Sequence, residues 1–204
     1  QYLALNYEYD VAYYVDVLLP TERLASFVNA RKDHPQHDYL LYALGVRYMR
    51  DKRWDDARAT LRQVRTETVP PIESNYYGKN REVIFAKEPD WDERTVLKTS
   101  WVMQDLKSID ALEHLEKAVE TAPDDEAKAE AMYQLASYQF EADDLLFYNP
   151  AAWKGMRHWL LDDLADSGRT RFANEEQTIF EHSQQHEGLS RAIPIYLEIA
   201  ERFP

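Results

Sequence analysis

Three observations predict an all-α fold for this chain of 204 residues. Only 5 glycines are present, while Ala, Leu, Glu, Asp and Arg abound, and sheet proteins with many tight turns need more glycine than that. A small residue, a large apolar residue four positions later and a terminating proline recur three times. Apolar residues elsewhere return at three- and four-residue intervals, as on one face of a helix. With 45% hydrophobic and 30% charged residues, the chain has a folded protein's composition and the length to bury a core.

The N-terminal stretch NYEYDVAYYVDVLLP carries two periodicities. Tyr7, Tyr9, Val11, Tyr13, Val15 and Val17 alternate as in a strand, whereas Leu5, Tyr9, Ala12 and Tyr13 fit a helix face. The helical context favours a helix, within a segment 1–37 that packs on the first helix pair of the chain. A helix from Thr21 to Ala30 comes next. Leu41-x2-Leu44-Gly45-x2-Tyr48 then marks a helix, Asp51-Lys52-Arg53 a turn, and Trp54 the start of a second helix with Ala57-x3-Leu61. A glycine inside a helix costs about 1 kcal/mol against alanine, so Gly45 is read as a point of close helix–helix approach.

Ala111-x3-Leu115 ends at Pro123, and Ala192-x3-Tyr196 ends at Pro204 with the same interval; after Ala57, Val69 holds the matching place and Pro70 comes one residue later. Proline cannot continue a helix, so each one closes a unit. Asp110-x-x-Glu113 reads as a capping box that opens the helix containing Ala111. Asn149-Pro150 reads as an N-cap with proline at the first helical position. Trp153, Met156, Leu160, Leu161 and Leu164 continue that helix towards Gly168. Asn174-x-x-Gln177 caps another helix that ends near Gly188, and Ser190 starts the last.

The Leu41–Leu61 block resembles the helix–turn–helix pattern of the tetratricopeptide repeat family, with Leu41 in place of its first aromatic. The resemblance implies an α-solenoid of antiparallel helix pairs with an irregular loop insertion and an extra helix. Its units would span 38–70, 91–123, a degenerate 124–173 and 174–204, with the inserted loop at 71–90. The alanines stand 54 and 81 positions apart (57 to 111, 111 to 192), against a family period of about 34. Insertions or faded repeats therefore lie between the units. The stretch 66–91 holds three prolines and a glycine without helical periodicity, and long loops of this kind are often functional.

Composition narrows the chemistry. The 37 acidic and 24 basic residues leave a net charge of −13, which disfavours nucleic acid as a partner. Without cysteine there are no disulfides, thiolate metal sites or cysteine nucleophiles. No membrane span and no signal peptide is visible; starting at Gln1, the chain reads as a mature or excised fragment. His182 and His186 stand one helical turn apart, but Ser183 replaces the glutamate of a zinc-protease helix, so they read as a solvated polar face. His34 and His37 read as a polar loop. The pairs Asp124-Asp125, Asp143-Asp144 and Asp162-Asp163 read as helix ends and surfaces rather than glycosidase carboxylates. No phosphate loop, nucleophile elbow or dinucleotide fingerprint occurs. No enzyme activity, cofactor or metal is expected.

The remaining reading is recognition. The resemblance turns Tyr39, Tyr42, Val46, Met49 and Arg50 towards a concave groove, and such residue types favour interfaces. Tyr42 and Val46 stand where chaperone-tail clamps carry lysine and asparagine, so that ligand is not expected. Tyr76, Tyr77, Lys79 and Arg81 form a second candidate patch in the long loop. The expected function is an interaction scaffold for a protein or peptide, with a basic face matching the acidity of the chain. The alternative is the helical part of a larger bacterial cell-envelope protein or assembly complex.

Overall fold

The computed structural model describes residues 11–65, 101–141, 146–153 and 174–203, and among these every regular element is a helix, with no strand. The all-α expectation holds. Residues 11–13 lead into a π-helical turn, Tyr14–Leu18, in which Leu19 N–H donates to Tyr14 O at 2.8 Å. The helical alternative for this stretch is the one adopted in its described part. Helix α1, Thr21–Ala30, has the bounds read from the sequence.

Helices α2 (His37–Arg50) and α3 (Trp54–Leu61) form a hairpin about Asp51-Lys52-Arg53. Arg53 N–H reaches Tyr48 O at 2.9 Å and Lys52 N–H reaches Met49 O at 3.1 Å, the bonds of a Schellman cap. Its left-handed residue is Lys52, at φ 56°. Gly45 is buried where α2 meets α3, and a β-carbon there would lie 2.5 Å from Leu61 Cδ2. The close approach read from the sequence is present.

Helix α4, Trp101–Thr121, is continuous. The helix start expected at Asp110 is therefore corrected: both members of the supposed capping box lie mid-helix and serve a neighbour instead. Arg58 of α3 donates to Asp110 Oδ1 at 3.0 Å and to Glu113 Oε2 at 2.5 Å. Trp54 Nε1–H donates to Glu116 Oε2 at 2.9 Å on the same face. Helix α5, Asp125–Glu141, starts from Asp124, whose Oδ1 accepts Ala127 N–H at 2.8 Å.

The short α6, Pro150–Trp153, is capped as expected, since Asn149 Oδ1 accepts Ala152 N–H at 3.2 Å. The continuation read through Leu164 to Gly168 lies outside the described residues. Helices α7 (Asn174–His186) and α8 (Gly188–Arg202) come last, the latter starting two residues before Ser190 and running through Pro194. From α1 to α5 each helix packs on the next, α8 packs on α5, and α7 on α8. Helix α2 also touches α4, α6 and the π-turn, so it sits at the centre. Of the small residues expected between helices, Gly45, Ala57 and Ala192 are buried and Ala111 is half-buried.

Candidate functional site

The central position of α2 decides the fate of the predicted groove. Tyr42, Val46, Met49 and Arg50 recur at four- and three-residue spacing and share one face, and all four are buried; Tyr39 is half-buried. Tyr42 Oη donates to Asp105 Oδ2 of α4 at 2.5 Å, and Arg50 turns towards the π-turn and 146–149. The face expected to line a concave groove is thus largely buried, with Tyr42 against α4 and Arg50 against the π-turn and residues 146–149, elements distant in sequence. Tyr76, Tyr77, Lys79 and Arg81 lie outside the described residues.

At the end of that face a charged cluster forms around Asp16, which the π-turn aims inward and which is fully buried. Arg50 grips it with both terminal nitrogens, Nη1 to Oδ1 at 2.6 Å and Nη2 to Oδ2 at 3.0 Å. Asn149 Nδ2 donates to Oδ1 at 2.8 Å, and Trp153 Nε1–H donates to Oδ2 at 2.6 Å. Arg50 Nε completes the clasp on Phe147 O at 2.9 Å. A second apolar cluster of Ala12, Tyr13, Tyr148, Trp153 and Ile179 packs alongside. Burial pushes the Asp16 carboxyl up, but Arg50 and His182 outweigh it and hold it well below its ordinary range.

Helix α7 brings both histidines to this cluster. His182 Nε2 is 3.3 Å from Arg50 Nη1 and 3.6 Å from Asp16 Oδ2. His186 stacks edge-on against His182 with ring centres 4.6 Å apart, and its Nδ1 is 2.8 Å from Arg191 Nη2. The solvated polar face expected for them is corrected, since both are partly buried and hydrogen-bonded to arginines. Among the described residues, no group of three or more His, Asp or Glu side chains is placed to hold a metal. Each Asp16 oxygen already accepts two close N–H donors, which leaves it poorly placed to take a substrate proton. The cluster is built to hold five segments together: the π-turn, α2, residues 146–149, α6 and α7.

Exposed apolar side chains lie elsewhere. On α8, Leu189, Ile193 and Leu197 stand four residues apart and are 46%, 45% and 58% exposed. On α5, Tyr133 and Phe140 are similarly exposed, seven residues apart on one face. The two helices meet on that side: Tyr133 and Tyr196 rings lie edge-to-face at 5.7 Å, and Ser137 Oγ is 3.0 Å from Tyr196 Oη. Where the start of α5 meets the end of α8, a cleft of about 940 Å³ opens. Asp124, Asp125, Glu126 and Glu130 line it together with Tyr133, Ile199, Arg202 and Phe203. Sequence reasoning missed this surface, although the 189/193/197 spacing is legible once α8 is recognised as the last helix.

No protein-family model, curated protein or solved structure matches this chain at a significant level. Among the described residues no helix is long and apolar enough to cross a membrane.

Proposed function

We propose that this chain is a non-enzymatic interaction scaffold, a helical-repeat assembly of tetratricopeptide character, that docks an amphipathic segment of another protein along α5 and α8. The observation that carries this reading is the exposed stripe of Leu189, Ile193 and Leu197 beside Tyr133 and Phe140. An apolar helix face is the natural occupant of such a two-helix surface. Charge selects the kind of helix. Four carboxylates line the cleft at one end, and the whole chain carries −13, so a partner with lysines or arginines flanking its apolar face fits and an acidic one is repelled.

The test is fluorescence anisotropy with a labelled synthetic helix of about five turns, carrying leucines on one face and lysines on the other, and its glutamate counterpart. The lysine helix binds and the glutamate helix does not. Ile193→Asp weakens binding at least about tenfold, the scale of one buried anchor lost. Phe27→Ser, at an exposed site on α1, leaves it unchanged. Equal binding of both helices, or full binding by Ile193→Asp, overturns the reading.

A further inference from the structure

His186 ends α7 two residues before α8 begins. Its Nδ1 lies 2.8 Å from Arg191 Nη2, and a guanidinium has only N–H groups to offer. The ring nitrogen is therefore the acceptor and carries no proton. The same Arg191 donates Nε to Gln185 O at 3.2 Å and Nη2 to Arg50 O at 3.3 Å, and covers the Phe147 ring at 4.0 Å. One arginine thus ties the α7–α8 corner to α2 and to residues 146–149, and part of its hold is a neutral imidazole.

The charges facing His186 come from each surrounding element: Arg191 on α8, Arg50 on α2, Asp16 on the π-turn, and His182 on α7 itself. Among these described groups only Asp16 is negative, and it is committed to Arg50, Asn149 and Trp153. A proton on His186 Nδ1 would meet a guanidinium at hydrogen-bond distance. Burial, reinforced by Arg50, His182 and Arg191, accordingly pushes its pKa far below the ordinary histidine value. The surroundings of His182 differ: its Nε2 stands 3.6 Å from the Asp16 carboxylate as well as 3.3 Å from Arg50 Nη1.

We propose that His186 is an acid-operated latch, whose protonation breaks the Arg191 contact and releases the α7–α8 corner from α2. The latch rests on this geometry and stands whether or not α8 binds a partner.

Hydrogen exchange of the full chain, corrected for the intrinsic pH dependence of amide exchange, tests it. Below the ordinary histidine pKa of about 6.5, each pH unit favours the open, protonated corner by up to about tenfold. Protection of α7 and of the first turn of α8 therefore falls about fivefold from pH 6.5 to 5.5, while α2 between Leu41 and Met49 keeps its protection. His186→Gln, whose amide oxygen accepts from Arg191 without titrating, removes the fall. Protection of α7 that is flat in the wild type, or a fall shared by His186→Gln, overturns the latch. A wild-type measurement guards against a variant that does not fold. In nitrogen NMR the His186 ring stays neutral in the closed state at pH 5.5, and a ring that titrates normally while α7 stays protected overturns the proposal.

Discussion

Gly45 of α2 and Leu61 of α3 are in such close contact that a β-carbon at position 45 would overlap the leucine, at 2.6 Å from Cγ as well as 2.5 Å from Cδ2. Leu61 is fully buried and has little room to retreat. Gly45→Ala gains about 1 kcal/mol of helix propensity, but overpacking a close-packed core costs about 1–3 kcal/mol. The net expectation is a loss of about 1 kcal/mol in denaturant unfolding. In the double variant with Leu61→Ala, the two effects fail to add by about 1 kcal/mol or more. Simple additivity would show that the contact is not what requires the glycine.

Asp16 and Arg50 form a buried pair with side-chain exposures of 0% and 2%. Removing one charge leaves the other buried without compensation, so Asp16→Asn costs about 3–5 kcal/mol. Asp16→Asn combined with Arg50→Gln costs less than the sum of the single changes. Urea denaturation of the four proteins in the cycle measures the coupling, and a coupling near zero would mean that the clasp contributes nothing as a pair.

The same carboxyl sets an acid limb of stability. Its folded-state pKa is depressed below the unfolded value of about 3.9. The native state therefore holds fewer protons at acid pH, and the stability Asp16 adds is whole well above that value and lost as pH falls through the folded one. Wild type and Asp16→Asn should converge in stability as pH drops from about 5 to about 2. A gap that stays constant over this range would contradict the depressed pKa.

Tyr42→Phe separates a packing role from a binding one. Its hydroxyl donates to the buried Asp105, and removing a bond to a buried charged group costs about 1.5–3 kcal/mol. Thermal unfolding of the variant should shift down accordingly, while its affinity for the lysine helix stays at the wild-type value. Unchanged stability with lost binding would restore the concave-face reading.

Lys52 holds a left-handed backbone in the α2–α3 cap, a conformation that costs a non-glycine residue about 1–2 kcal/mol. Lys52→Gly removes that cost and also the Lys52–Glu116 ion pair at 2.6 Å, whose lysine is 58% exposed. An exposed pair contributes about 0–1 kcal/mol, so the variant is expected to be equal to or slightly more stable than wild type in calorimetry. A loss above about 1 kcal/mol would show the ion pair to be stronger than an exposed one.

The features legible in the sequence are those set within a few residues along the chain. Thr21–Ala30, the hairpin about Asp51-Lys52-Arg53, the Asn149 cap and the close approach at Gly45 come from periodicity, propensity and turn chemistry, which act over one or two helical turns. Tertiary structure alone decided which polar side chains are buried and with whom. Tyr42 finds Asp105 63 positions away, Asp16 finds Trp153 137 positions away, and Arg50 finds His182 132 positions away. Asp110 and Glu113 could be read as a cap because a carboxylate's local options are known, but Arg58 of another helix claimed both. A charged side chain enters a core only where a partner meets it, and the identity of that partner is a property of the packed chain rather than of its local sequence.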